Sequence, residues 1–226
     1  MSVNIDTVYQ RVLAILNKEQ RGYITPQEFN LFANQAQLDL FEQYFYDINQ
    51  FGRLHGNDTE YSDMLNVLNE KINIFEKNAV MTYANNYWSA PSDLYRIGTV
   101  IYNSIEAERV NANELLYINS APLTKPTNER PVFVSNSSGY KVYGNVELTS
   151  GVSCNYIKKP ATAEWAYNTI TGTYNSTAST DFELHPSEET ELVIKVLELA
   201  GLSIKDFSIY QASMQMEAQG IQQEKS

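Results

Sequence analysis

The sequence predicts an α+β fold in which N- and C-terminal helices pack as a bundle around a small central antiparallel β-sheet. Three observations predict it. Apolar residues recur at helical spacing through residues 6–49 and again through 186–219. Between them lie short runs rich in β-branched and aromatic residues, punctuated by Pro and Gly. Finally, at 226 residues and 43% hydrophobic, the chain can bury a core of its own. The organisation expected is a helical part at 1–90, a β-rich part at 91–185 and helices at 186–226 that complete the bundle.

Asp6 is placed to cap the first helix, with Val8, Val12, Ile15 and Leu16 on one face and Gly22 after its end. A second start follows. Thr25 is an N-cap, Pro26 takes the first helical position and Glu28 lies three residues past the cap, which is a capping box. The stripe behind it runs through Phe29, Phe32, Ala36, Leu40 and Tyr44, widened by Leu38, Phe41, Phe45 and Ile48. So broad a stripe meets more than one neighbour. Residues 50–58 contain Gly52, Gly56 and Asn57 and read as a loop, and helical spacing returns over 61–75.

The period then changes. Residues 96–103 are a predicted strand, 110–119 a short helix, and 131–135, 140–143 and 152–158 three further strands, with a turn at Asn136–Gly139 between the first two. Residues 168–181 are Thr-, Ser- and Asn-rich and predict a loop. Pro186 opens a helix with Glu188 and Glu189 in its first turn, where the dipole favours carboxylates, and Leu192, Val193, Val196, Leu197 and Ala200 form its stripe. A last helix carries Ile204, Phe207, Tyr210, Met214 and Ala218 before a polar tail.

Composition excludes several classes of function. A net charge of −11 lacks the basic footprint of a protein that grips phosphates, although an acidic wall suits DNA that must slide past without sticking. One cysteine, Cys154, rules out an internal disulfide, and its alternating run predicts strand packing rather than a reactive thiol. No run is long enough to cross a bilayer. The 16 Tyr against 9 Phe and 2 Trp admit two readings, surfaces that become buried on association or plain strand composition.

The chemistry-bearing motifs are few. Residues 17–28 have the spacing of a calcium loop, but Asn17 replaces the first Asp and Arg21 puts a cation among the ligands, so the capping box explains the segment better. His55 lies in a glycine loop and His185 before a helix start, both far in sequence from Cys154. No nucleophile elbow, P-loop or dinucleotide fingerprint is present. The expectation is a non-enzyme with no catalytic, metal or cofactor-binding residues and no cofactor. The interface candidates are aromatic and Met residues: Tyr87, Trp88, Tyr167, Tyr174, Tyr210 and Met214.

Two segments carry a resemblance. One is Val-Ser-Cys-Asn-Tyr-Ile-Lys-Lys-Pro at 152–160, followed by Trp165. The other is Asp-Phe-Glu-Leu-His-Pro at 181–186, leading into the helix that ends near Gly201. Together they resemble head-to-tail connector proteins of short-tailed phages, also called adaptor, ring or tail tubular proteins. Residues 17–41 are similar to structural proteins of crAss-like phages, and Ser-Ala-Pro-Ser-Asp-Leu-Tyr-Arg at 89–96 is similar to the point where such proteins pass from helices to sheet. The resemblance implies a homo-oligomeric ring, typically twelve-fold, docked on the portal protein beside other tail and ring proteins. DNA passes through it without specific binding, no membrane is involved, and the protein, made in the host cytoplasm, resides at the head–tail junction of the virion. The alternatives are a virion-associated hydrolase and a minor tail or capsid protein elsewhere in the particle.

Overall fold

The computed structural model describes residues 2–18, 24–53, 59–168, 170–204, 214–216, 218 and 219. The expected loop at 50–58 is instead helical as far as Arg53, because the second helix continues through Gly52, while residues 54–58, with His55, and Gly22, Phe207 and Tyr210 lie outside the described residues. The chain divides into two units, Met1–Ile74 with Pro160–Ser226 and, inserted between them, Phe75–Lys159.

The first unit is helical. It contains α1 (Ile5–Lys18), α2 (Pro26–Arg53), α3 (Thr59–Asn73), a 3-10 turn (Pro186–Glu188) and α5 (Glu189–Ile204). The capping box at α2 forms as its sequence specifies. Glu28 accepts from the Thr25 backbone N–H at 2.9 Å, and Thr25 Oγ1 accepts from the Glu28 N–H at 3.3 Å. At α1 the cap lies two residues earlier than the sequence indicates. Asn4 Oδ1 accepts from Thr7 N at 3.0 Å, which leaves Asp6 available for another partner. α5 packs against α1 and α2, and α3 against α2. Val8, Val12, Phe29, Leu40, Phe41 and Val196 are buried there. Ile15, expected on the inner stripe, is 44% exposed, because α1 buries a face narrower than its apolar content.

Glu188 is a second departure. A carboxylate in a first turn is ordinarily solvated, yet here it is buried, held by Lys71 Nζ at 2.6 Å and by Ser187 Oγ at 3.2 Å. Lys71 also lies over the Tyr44 ring, 5.6 Å from its centre. A buried pair of this kind fixes which side chains meet, and breaking it costs more than forming it gains.

The second unit holds β1 (Glu76–Val80), β2 (Thr82–Ala84), β3 (Tyr87–Ser89), β4 (Leu94–Tyr102), β5 (Ile105–Arg109), α4 (Ala112–Ser120), β6 (Val132–Asn136), β7 (Gly139–Tyr143) and β8 (Val152–Lys158). They form one sheet in the order β1-β8-β4-β5-β6-β7-β3-β2. The expected bundle around a small antiparallel sheet is thereby overturned. The sheet has eight strands in a nearly closed barrel. It is mixed, because β5 and β6 run parallel and are joined through α4.

The physical reason lies in four strands without a sequence signature. β1, Glu-Lys-Asn-Ala-Val, is polar and exposed, as an edge strand tolerates, and owes its conformation to pairing with β8 from Glu76↔Ile157 to Val80↔Ser153. β2 and β3 are three residues each. In β5 only Ala107 is buried. Two tight turns fold them. Asn85-Asn86 and Asn103-Ser104 each place two successive residues at positive φ, which matches the right-handed twist of a hairpin. Met81, Trp88, Val100, Val142, Val152 and Cys154 fill the barrel core.

Two outcomes test these supports. Phe41→Asp is expected to destabilise the protein by about 4 kcal/mol or more, since it puts a charge where a wholly buried ring makes an edge contact with Phe45. A variant that melts normally refutes the packing. The Thr25 bonds, backbone first and then hydroxyl, hold the Glu28 carboxyl below its ordinary value of 4.5. A carboxyl lowered on folding stabilises above its unfolded value and loses that contribution as pH falls through the folded one. The melting difference between the wild type and Glu28→Ala is therefore expected to be constant from pH 7 to about pH 5 and to vanish in stronger acid. A difference unchanged at about pH 2 excludes the carboxylate cap.

Candidate functional site, an arm and an apolar helix face

The segment after β8 is bound to α2 by side-chain amides. Asn34 donates Nδ2 to Ala163 O at 2.8 Å and accepts from Ala163 N at 2.9 Å. One turn earlier, Asn30 makes the same pair with Trp165, at 3.3 and 2.8 Å. One turn later, the buried Gln37 donates to Ala161 O at 2.8 Å and accepts from Glu183 N at 3.1 Å. α2 thus presents to the segment what the edge of a sheet would present. Asn and Gln amides carry both the donor and the acceptor that a peptide unit needs.

From this base an arm doubles back on itself, with antiparallel bridges at Glu164↔Thr180 and Tyr167↔Tyr174. Trp165 anchors it. Its indole N–H is donated to Asp6 Oδ1 at 2.9 Å, and its ring packs on Tyr9 at 4.2 Å and stacks with Tyr167 and Tyr174 at 5.9 and 5.5 Å. Each contact beyond simple burial is of the offset kind that aromatic quadrupoles favour. At the tip, Asn168 N donates to Thr173 O at 2.9 Å, and Asn168 Oδ1 accepts from Ile170 N at 2.9 Å. Gly172 takes φ 68°. Ile170, beside this turn, is 91% exposed.

The barrel unit has its own exposed apolar group. On α4, Leu115 and Ile118 pack against Val110, Val132 and Val134. Leu116 and Tyr117, on the other side, are 71% and 76% exposed, and Leu123 just beyond is 96% exposed. A nine-residue helix that is apolar on both faces is unusual on a surface meant only for water.

The sequence-predicted residues fall into different surroundings. Tyr167 and Tyr174 meet on the arm. Tyr87 is half-buried in β3 with Lys141 Nζ 5.0 Å from its ring centre. Trp88 is a core residue that donates its indole N–H to Leu148 O at 2.9 Å. Met214 is 44% exposed. The structure does not bring Tyr87 and Trp88 to a common surface, since successive strand residues point to opposite faces. Sequence reading missed Leu116, Tyr117, Leu123 and Ile170. The doubled Leu115-Leu116 pair within α4 was the one available signal.

His185 N-caps the 3-10 turn, accepting from Ser187 N at 3.3 Å, which is the capping-region role its position before Pro186 indicates. Burial raises the Cys154 thiol above its usual range, so the thiolate is disfavoured. Tyr156 donates its hydroxyl to Asp93 at 2.9 Å, which lowers the Asp93 carboxyl, while burial first and this bond second raise the phenol. No group of three or more potential metal ligands occurs among the described residues. Nor is any helix among them long and apolar enough to cross a membrane.

Charge is divided unevenly. The helical unit has 8 basic and 20 acidic residues, net −12, and the barrel unit 8 and 7, net +1. A comparison of the sequence with protein-family models and with curated proteins finds no match.

The arm's dependence on α2 is open to measurement. Asn34→Leu strands the Ala163 N–H and C=O in a half-buried place and is expected to cost about 2 to 3 kcal/mol, with faster amide exchange at 163–168. Exchange unchanged there would show that the amides do not hold the arm.

Proposed function

We propose that this chain is a non-enzymatic structural subunit of a virion ring, one that connects the portal of the head to the tail and prolongs the DNA channel. The observation that carries the reading is the exposed apolar group Leu116, Tyr117 and Leu123 on a helix whose other face is packed. Apolar side chains held out on an ordered support favour burial against another protein. The ordered arm with Tyr167, Tyr174 and the exposed Ile170 is a second such feature. The resemblance of 152–160 and 181–201 to head-to-tail connectors names the kind of assembly, a closed ring, twelve-fold by that resemblance. A cyclic ring of more than two subunits requires a heterologous contact whose rotation closes. The −12 charge of the helical unit supports passage of DNA without adhesion, because carboxylates repel phosphates.

The test is assembly. The purified protein is expected to scatter light as a small species alone and as a ring once its portal is added, with a central pore in negative-stain images. A stable dimer indifferent to portal refutes the proposal. Leu116→Ser combined with Tyr117→Ser is expected to leave the melting curve within about 0.5 kcal/mol of wild type while reducing portal-dependent assembly at least about tenfold. Undiminished assembly by that variant removes the observation on which the reading stands.

A further inference from the structure

The run of chain from Glu76 to Ala84 changes partner half-way. As β1 it pairs with β8, and beyond Met81 it continues as β2 and pairs with β3. Lys158 N donates to Phe75 O at 2.9 Å and Met81 N to Val152 O at 3.1 Å, so residues 75, 77, 79 and 81 turn their peptide groups to β8. By the alternation of an antiparallel strand, the N–H and C=O of Glu76, Asn78 and Val80 point the other way. On that side Thr82 faces Ser89, and two residues further β3 would set Pro91 opposite Val80. Proline has no N–H for the ladder, and the chain turns off there, with Leu94 N donating to Pro91 O at 3.1 Å. β1 is therefore an edge, and among the described residues no strand pairs along its outer side. Edges are ordinarily blunted by a proline, a bulge or a charged side chain held over them. β1 has neither proline nor bulge, its Lys77 is drawn to Asp93 at 3.4 Å, and Val80 is 80% exposed.

An open edge selects an extended chain, because only another backbone supplies donors and acceptors at its spacing. The side chains of β1, Glu-Lys-Asn-Ala-Val, select which chain. Residues 221–225, outside the described residues, read Ile-Gln-Gln-Glu-Lys. Laid antiparallel on β1 with Ile221 opposite Val80, they set Gln222 opposite Ala79, Gln223 opposite Asn78, Glu224 opposite Lys77 and Lys225 opposite Glu76. Both charged pairs are then of opposite sign, two amides face each other and two branched apolar side chains meet, which are cross-strand pairs that stabilise a ladder. Laid parallel, the same run sets Ile221 against Glu76 and Lys225 against Val80, so the charges select the antiparallel direction. Gly220 precedes the run at the end where Pro91 bars a straight approach, and a glycine there lets the incoming chain bend.

We propose that residues 221–225 of one copy of this chain pair antiparallel with β1 of a neighbouring copy. The inference rests on the ring reading above and supplies its subunit-to-subunit contact. Segment and edge are different surfaces, so the contact is heterologous and repeats from subunit to subunit, as a ring requires.

Mixing two single variants of the full chain tests it. Val80→Cys and Ile221→Cys proteins, each first shown to melt like wild type, are combined at high concentration, with and without portal, and oxidised mildly. The native Cys154 is buried and does not compete. Directly opposed residues of such a ladder lie about 5.5 Å apart, within reach of a disulfide. Glu76→Cys is the control partner for Ile221→Cys, since the proposed register holds these two about 14 Å apart. The mixed disulfide with Val80→Cys is expected to form about tenfold faster than with the control, because pairing raises the effective concentration of the two thiols. Adding Glu76→Lys to the Val80→Cys protein is expected to slow trapping about threefold, and adding Lys225→Glu to its partner to restore it. Rings in electron micrographs with trapping no faster than the control overturn the inference and leave the ring reading in place. Trapping in register with no ring under any condition upholds the pairing and overturns the ring. Neither rings nor trapping overturns both. An intrachain disulfide in the Val80→Cys/Ile221→Cys double variant, with no cross-link between chains, also overturns the inference.

Discussion

A match between two repeats governs the helical unit. One turn and a little more along α2, from Asn30 to Asn34, advances about 6 Å. Two residues of extended chain, from Ala163 to Trp165, advance about 6.6 Å. Side-chain amides on one face of a helix can therefore stand opposite alternate peptide groups of a strand, and here they do, each amide giving one bond and taking one. Gln37 continues the row to Ala161 and also reaches Glu183, which binds both ends of the 160–185 segment to one helix. Without this row the segment would need a sheet edge for its backbone groups or would leave them unsatisfied, at a cost of a few kcal/mol.

What the row fixes at its base is exploited farther out. Because Trp165 is held by its own backbone, its indole N–H reaches Asp6, and its ring is in place for Tyr9, Tyr167 and Tyr174. Farther out, Asn168 Oδ1 accepts from Ile170 N and a left-handed Gly172 turns the chain. The contacts of Trp165 with Tyr9, Tyr167 and Tyr174 hold the base of the arm, and groups held in place before binding forfeit less entropy on association.

The barrel unit reaches a comparable end by different means. Its bulge at Gly98-Thr99 and its parallel β5–β6 pairing pull β4 and β5 apart after three paired positions. The parallel pairing in turn demands a crossover, which α4 supplies. A short helix on the outside of a sheet has only one face to bury, so the apolar content of Leu115, Leu116, Tyr117 and Ile118 exceeds what the fold itself can cover. The exposed helix face is thus a consequence of one topological choice.

By itself the sequence determined whatever depends on neighbours along the chain. The box at Thr25 and Glu28, the cap at His185, the inner stripes of α2 and α5, strands β6 to β8 and the buried Cys154 follow from spacing and local hydrogen bonding. The resemblance to connector proteins likewise rests on short contiguous runs. Tertiary structure alone decided everything that depends on a distant partner. Asp6 looks like a cap until Trp165 arrives from the other end of the sequence. Glu188 looks solvated until Lys71 meets it. Trp88 looks like a surface aromatic until the barrel folds around it and Leu148 takes its N–H. The strands β1, β2, β3 and β5 are the largest case, and they turned an expected small sheet into an eight-stranded one. A polar five-residue run becomes a strand when another strand offers it a ladder, and β1 finds that ladder in β8, on the far side of the barrel unit in sequence. Backbone hydrogen bonds are the same for every residue but proline, so pairing of this kind leaves no mark in the order of side chains.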